Sequence, residues 1–223
     1  MNSDREHVEI VAYHTGGPYR TEAEIMRQSL DDLGIPATVI EVADRGAWTW
    51  NTHAKADFIC ERLQIAMLDE TAIGILCVDV DTVFHSDPRA FMAALDCDFA
   101  AAWIKDRELL SGTLFFACSD AALALAEQWR AVNARRPRKP DGPNLQAALA
   151  ELAGLVRCLK LPPQYTFIFD TFRTLYPGVS PIIEHMQASR RLRNDDAMRH
   201  HRNPQPKRTE SMEQTSKAET GCV

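Results

Sequence analysis

Residues Ile73-Gly74-Ile75-Leu76-Cys77-Val78-Asp79-Val80-Asp81-Thr82-Val83-Phe84 decide how this chain is read. Six mostly apolar residues run without a polar break, as in a strand covered on both faces of a sheet. The run ends on two carboxylates separated by one valine, and His85-Ser86-Asp87-Pro88 follows. In open α/β sheets, ligands sit outside the carboxyl ends of the strands. Two acids at such an end repel each other unless a cation lies between them, and a divalent metal carrying phosphates meets that need. In extended backbone, residues i and i+2 point the same way. The spacing therefore predicts that Asp79 and Asp81 face one ion while Val80 turns into the core. An isolated Asp-x-Asp is more often a strand end with two solvated acids; the apolar run before it and the turn after it raise this one above that. Asp87 and Pro88 read as structure, the N-cap and first residue of the next helix.

Upstream, Val8 to Tyr13 reads as a strand that runs into His14-Thr15-Gly16-Gly17-Pro18-Tyr19. Two glycines and a proline make a tight turn where backbone can approach a ligand, although they form no dinucleotide or P-loop fingerprint. Thr21 to Leu33 is an amphipathic helix with Ile25, Met26, Leu30 and Leu33 on one face, stopped by Gly34. A second strand, Ala37 to Val42, completes a β-α-β unit and predicts a parallel pair. Trp48-Thr49-Trp50-Asn51-Thr52-His53-Ala54-Lys55 then leads into a helix. Thr52 is the expected cap of a helix over His53–Leu68, with Asn51 and Lys55 on one face near its start. A lysine in the first turn opposes the helix dipole, a cost that a bound phosphate would offset.

Downstream, the pattern gives a short helix over Arg89–Leu95, a strand over Cys97–Ala102, a polar connection, and a glycine-led strand from Ser111 to Cys118. A helix follows from Ser119 to about Ala134. Arg135-Arg136-Pro137-Arg138-Lys139-Pro140-Asp141-Gly142-Pro143 is a basic, proline-punctuated loop of the kind that is usually solvated surface. A helix over Asn144–Leu152, a strand over Leu155–Leu159, an extended aromatic segment over 161–169 and an apolar stretch over 181–190 complete the folded part. Residues 1–190 read as one domain, and the polar, aperiodic stretch 191–223 as a disordered tail.

With 223 residues the chain suits a single domain with a substantial core. Its net charge of −6 argues against a polyanion partner gripped over the whole surface, although residues 190–223 carry eight Lys/Arg against five Asp/Glu. Six cysteines form no Cys-x-x-Cys pair and three lie in apolar runs, which reads as reduced thiols and a cytoplasmic chain. The polar N-terminus is not a signal peptide, and no apolar run approaches the ~18 residues that would span a bilayer.

The set of pieces resembles the GT-A superfamily of nucleotide-diphospho-sugar transferases, in particular its small bacterial and phage members. The matching stretches are Tyr13–Tyr19, Trp48–Lys55, Val78–Phe84, Leu110-Ser111-Gly112-Thr113, Asn144-Leu145-Gln146, Leu161–Tyr165 and Ile183–Arg190, in the family's order. The resemblance implies a single three-layer α/β/α domain of GT-A-like, Rossmann-like type with a mostly parallel central sheet. It implies that Asp79, Asp81 and His185 hold Mn²⁺ or Mg²⁺ against the diphosphate of a nucleoside-diphosphate sugar, UDP-linked by expectation; such an O/O/N donor set suits Mn²⁺. It puts Thr15, Gly16, Gly17 and Tyr19 near the nucleotide, with Trp50 and Asn51 beside them. Lys55 would reach a phosphate or the base end, and Ser111 and Gly112 would line the sugar and acceptor side. Where relatives often read Asp-Gln before the Asn-Leu-Gln helix, this chain has Asp141-Gly142, which puts specificity or activity in question.

Transfer needs stabilisation of the departing diphosphate more than a strong nucleophile. Asp141 and Asp106 are the candidate general bases. Asp79-Val80-Asp81-Thr82-Val83 also fits a haloacid-dehalogenase-type phosphatase with Asp79 as nucleophile, but that family places the motif on its opening strand. A non-catalytic nucleotide-sugar binder is a third reading. The acceptor is open; the basic loop and the arginines beyond 190 make a phosphate-bearing acceptor, DNA included, conceivable.

Overall fold

The computed structural model describes residues 7–190. The expected tail over 191–223 lies outside them. The chain divides into units Met1–Ala188 and Ser189–Val223, and the fold described here is that of the first.

The elements run β1 (His7–His14), α1 (Pro18–Asp32), β2 (Ala37–Glu41), α2 (Trp48–Leu68), β3 (Ala72–Val78), β4 (Thr82–Phe84) and α3 (Arg89–Ala93). They continue with β5 (Phe99–Ile104), β6 (Glu108–Ala117), α4 (Asp120–Arg135), α5 (Asp141–Glu151) and β7 (Cys158–Lys160). A 3-10 turn over Pro163–Thr166, β8 (Phe167–Ile168), α6 (Thr171–Leu175) and β9 (Ile183–His185) close the described part.

Six strands make the central sheet in the order β2-β1-β3-β6-β5-β7. β1 pairs parallel with β2 and β3, and β5 with β7; β6 runs antiparallel to β3 and β5 and is the one reversed strand of the six. The sheet is thus mostly parallel, as expected. β4, β9 and β8 form a small second sheet.

β3 lies in the middle because it is apolar on both faces. Ile75 and Cys77 pack with α2, α4 and α5, while Leu76 and Val78 pack with α1 and α3. β6 repeats the alternation, with Leu114 and Phe116 on one side and Phe115 on the other. A side chain on Gly74 would meet the Phe116 carbonyl at 2.4 Å, so β3 and β6 close up only with glycine there.

Several boundaries differ from the sequence expectation. α1 buries Ala23, Met26 and Leu30 at helical spacing, so Met26 and Leu30 face the core as expected while Ile25 and Leu33 are substantially exposed and Ala23 completes the stripe. α2 begins at Trp48, five residues before the expected start. Its N-cap is Ala47, with no side-chain cap, and Thr52 lies inside the helix donating to the Thr49 carbonyl. β6 starts at Glu108, so the expected polar connection is the tip of a β5–β6 hairpin, with Lys105 and Asp106 at positive φ. α5 starts at Asp141 rather than Asn144. Asp87 still caps the Arg89 amide, but from one residue before the N-cap position, which is Pro88. The described cysteines are free, and no described helix is long and apolar enough to cross a membrane.

Candidate functional site

β3 stops at Val78, and Asp79–Asp81 form a bend rather than extended strand. The Asp79 amide donates to the Gly112 carbonyl on β6 at 2.9 Å, and the Thr82 hydroxyl donates back to the Asp79 carbonyl. Val80 is 5% exposed, so the alternation expected of a strand is kept by a bend. β4 then pairs antiparallel with β9, Thr82 opposite His185, which brings a histidine from the far end of the domain to the Asp-x-Asp corner. Gln187 at φ 55° turns the chain back after β9. The amides of Met186 and Ala188 donate to the carbonyl and to Oδ2 of Asp81, each at 2.7 Å. One ligand atom each from Asp79, Asp81 and His185 lies within 4.8 Å of the others.

The donors at this corner fit a divalent cation. His185 is buried, and burial, with the Lys55 charge nearby, pushes its pKa down to about 3, so it stays neutral. Its Nε2 is 2.8 Å from Thr113 Oγ1, which fixes the ring and leaves Nδ1 as the unengaged nitrogen. A methyl group on Gly112 would sit 2.8 Å from His185 Cε1, 3.1 Å from Nδ1 and 3.4 Å from Asp79 Oδ2. The missing side chain is what lets the imidazole and the carboxylate converge. Burial pushes Asp79 up to about 6, against the downward pull of Lys55, and also raises Asp81.

Lys55, in the third turn of α2 rather than its first, is the other anchor. Its side chain is 5% exposed, with Nζ 2.6 Å from Asp79 Oδ1 and 3.1 Å from Asp141 Oδ2. It donates to the Ser111 carbonyl at 3.0 Å. Burial pulls the ammonium down, but Asp141 and Asp79 outweigh it and hold it above its ordinary value. The Lys55–Asp141 contact lacks hydrogen-bond direction, so the buried Asp141 Oδ2 has no hydrogen-bond donor. One ammonium faces three carboxylates while His185 stays neutral. The excess of two negative charges equals one divalent ion's charge, and isolated it would be costly in a half-buried place.

The remaining candidates fall at different distances from this centre. β1 and β3 run in parallel with Val11 opposite Cys77, so the turn Thr15–Tyr19 leaves the sheet at the same edge as Asp79. Gly17 (φ 54°, ψ −134°) occupies a conformation open to glycine, and a Cβ on Gly16 would lie 2.8 Å from Glu41 Oε1. Trp50 is 57% exposed at the start of α2. The Asn51 side chain accepts from the Arg45 amide and donates to Asp44, and the Asn51 backbone carbonyl accepts from the Tyr13 hydroxyl. Its polar groups therefore hold the 44–46 loop. Ser111 meets Lys55 through its carbonyl, and its Oγ would lie 3.4 Å from a Cβ on Gly142, so a side chain at 142 has ordinary room next to Ser111. Asp141 is buried under Lys55. Asp106 stands apart at the hairpin tip, 79% exposed and paired with Lys160 at 2.7 Å. It lies six residues up the strand from Gly112, roughly 20 Å at strand rise.

Thr113, Tyr13 and the 186–188 turn carry parts of this site; they fall in stretches that the resemblance matches without giving them a role. The antiparallel register, Val78 opposite Thr113, is the signal that places Thr113 beside the corner.

No protein-family model matches the chain, and no curated protein matches it. Solved structures do. A glycosyltransferase involved in the glycosylation of the major capsid of PBCV-1 superposes with a TM-score of 0.63 at 13% identity, over 86% of this chain and 98% of that one. The apo-form glycosyltransferase GlyE of Streptococcus pneumoniae TIGR4 superposes with a TM-score of 0.53 at 14% identity, over 80% of this chain; the match spans 54% of GlyE. The chain has the GT-A-like glycosyltransferase fold, and the Asp79-Asp81-His185 corner lies at the carboxyl edge of its sheet.

Proposed function

We propose that the protein is a metal-dependent glycosyltransferase that takes its sugar from a nucleoside diphosphate, UDP in the first instance. The observation that carries this is the convergence of Asp79, Asp81 and a neutral His185 over the bare Cα of Gly112, on a fold shared with glycosyltransferases. Asp79, Asp81 and His185 would hold the cation, and their O/O/N chemistry suits Mn²⁺, with Mg²⁺ the alternative. Bound there, it would neutralise charge on the departing diphosphate.

The chain's own residues do the rest. Lys55 keeps Asp79 oriented and supplies a fixed positive charge under the site, in place before any reaction and so without reorganisation at the moment of transfer. Asp141 holds Lys55 from the other side, with its Oδ2 closed off from solvent. That burial suits positioning better than proton transfer. The glycine turn Thr15–Tyr19 and Trp50 offer backbone and an aromatic surface for the nucleotide, and Ser111 and Gly112 floor the sugar side.

The phosphatase alternative has less support, because the motif closes the third strand of the chain, in mid-sheet. A non-catalytic binder is separated from an enzyme by slow, metal-dependent hydrolysis of a UDP-sugar.

Thermal unfolding with UDP and MnCl₂ tests the reading. Ligand at 100 times Kd stabilises by about 2.7 kcal/mol, which for a domain of this size is about 5–10 °C in Tm. The gain should vanish in Asp79→Ala, and transfer should fall by about 10²–10³. No shift with any nucleoside diphosphate would sink the proposal.

A further inference from the structure

The described lysines and arginines are mostly accounted for. Arg20, Arg45, Lys55, Arg62, Arg89, Arg130, Arg135, Arg157, Lys160 and Arg173 each sit within 4 Å of a carboxylate. Arg27 donates to the Val39 carbonyl. Five others, Lys105, Arg107, Arg136, Arg138 and Lys139, have side chains with neither an ion pair nor a hydrogen bond among the described residues, and all but the half-buried Arg136 are exposed.

These five sit on two segments that both hang from α5. Arg107's carbonyl accepts from Gln146 Nε2 at 2.8 Å, and the Leu109 amide donates to Gln146 Oε1 at 3.3 Å, which fastens the hairpin. The carbonyls of Arg136 and Lys139 accept from the buried Asn144 Nδ2 at 3.3 and 3.4 Å, which fastens the loop. His53 Nε2 donates to the same Lys139 carbonyl at 2.7 Å. Asn144 and Gln146 are two residues apart, about 3 Å along the helix axis but about 200° around it, so the two cationic segments are fastened to different faces of α5. The helix that carries them begins at Asp141, the partner of Lys55, and His53 is two residues before Lys55. The backbone is pinned while the charged ends are free, the loop at the amino end of the helix whose Asp141 holds Lys55 and the hairpin farther along that helix. The nearby acids offset them only in part: Asp106 is held by Lys160, Glu151 by Arg135 and Gln128 with the Arg136 charge also near it, and Glu108 is open.

We propose that this rim receives the acceptor through phosphate groups, the acceptor being carried on a phosphodiester chain laid across the hairpin tip and the 136–139 loop. A single phosphate would not call for five separated cations; a strand with regularly spaced charges would. Exposed Trp50, one helical turn before His53, adds an aromatic face on which a base can stack, as in sequence-tolerant strand binding. The inference rests on the transferase reading for the word acceptor, and its test does not.

The full chain is titrated into fluorescein-labelled dT12, without metal or nucleotide, at 50 to 200 mM NaCl, and anisotropy is read. Binding should weaken with salt. Arg136→Ala/Arg138→Ala/Lys139→Ala should lose at least tenfold in affinity at 50 mM, and its log–log salt slope should shrink by about 2, at about 0.7 per cation. Lys105→Ala/Arg107→Ala should lose a smaller share. Thermal melts confirm that both variants fold. Equal affinity for an abasic strand confines recognition to the backbone, and weaker affinity adds the bases; both support the proposal. No binding at 50 mM, unchanged binding in both variants, or tighter loop-dependent binding to phosphatidylglycerol vesicles than to dT12 would overturn it. Because the strand titration omits the donor and the UDP/Mn²⁺ melt omits the strand, either reading can fail alone.

Discussion

The two ends of the central sheet are built from the same residue types and do opposite things with them. At the amino end, a cavity of about 380 Å³ is lined by His7, Glu9, Thr38, Arg62 and Asp69. Its strong ion pair is internal, Arg62 on Glu9 at 2.5 Å with Thr38 donating to the same carboxylate, and Asp69 accepts from the amide and hydroxyl of Thr71. At the carboxyl end, Asp79 and Asp141 hold one lysine between them, Asp81 lies beside Asp79 and His185, and a glycine stands where any side chain would block the middle. Concavity alone does not mark a ligand site. Uncompensated charge, held in place by buried hydrogen bonds, marks the edge suited to a cation.

The largest expected effect breaks that contrast at Lys55. Lys55→Met leaves Asp141 buried beside an uncompensated Asp79 and should cost about 3–5 kcal/mol of stability in urea unfolding. Adding Asp141→Asn should recover part of the loss, since the two residues share one interaction. Arg62→Met at the other end should cost clearly less, because Glu9 keeps the Thr38 hydroxyl and some solvent. Equal costs at the two ends would erase the distinction.

How far the sequence foretold this depends on the residue. β3 was legible because an unbroken apolar run has one common explanation, burial on both faces, and the paired acids at its end gave the chemistry. The glycine turn after β1 was legible for the same local reason. His185 was reached through family resemblance, since it arrives by the β4–β9 pairing, a long-range contact that no local pattern encodes. Lys55 was noticed for a reason that does not hold. Rules for helix starts look for a capping side chain, and α2 begins on Ala47 without one, its first turn tied to the Asp44–Gly46 loop by Asn51. The same omission hid the start of α5 at Asp141, and with it the burial of that residue.

Gly112 sharpens the comparison with a single methyl group. Gly112→Ala should lower Mn²⁺ affinity, read by titration or by loss of the metal-dependent Tm gain, about 10–100-fold, because the methyl group displaces His185 from Asp79. Gly74→Ala, whose methyl would meet the Phe116 carbonyl at 2.4 Å, should instead destabilise the fold by about 1–3 kcal/mol and leave metal affinity nearly alone. If Gly112→Ala binds metal normally, His185 is not a ligand.

A pH series separates the ends next. His185 is neutral in the folded chain down to about pH 3, whereas in the unfolded chain it takes up a proton near pH 6.5. Its contribution is therefore full above pH 6.5 and is lost as pH falls toward 3, about 2 kcal/mol between pH 6.5 and 5 at 1.36 kcal/mol per unit. Asp79, raised to about 6, works the other way over part of this window, since its proton is held more tightly folded than unfolded. The difference in unfolding free energy between wild type and His185→Gln, followed from pH 7 to 5 without metal, isolates the histidine. A flat difference would mean that the imidazole is not buried as described.

The smallest effect belongs to Asp106, and it is informative for being small. Its carboxylate is 79% exposed and held by a comparably exposed lysine, an arrangement worth at most about 1 kcal/mol. The hairpin carries it roughly 20 Å along the strand from Gly112, too far to share a proton with chemistry at Asp79 and Asp81. Asp106→Asn should leave the UDP/Mn²⁺ melting shift intact and change donor hydrolysis less than about twofold. Asp141→Asn, which removes the buried charge facing Lys55, should alter both. A large loss of hydrolysis in Asp106→Asn would mean that the hairpin folds down over the corner during turnover, and the exposed carboxylate would then have to be counted with the charges at the carboxyl end.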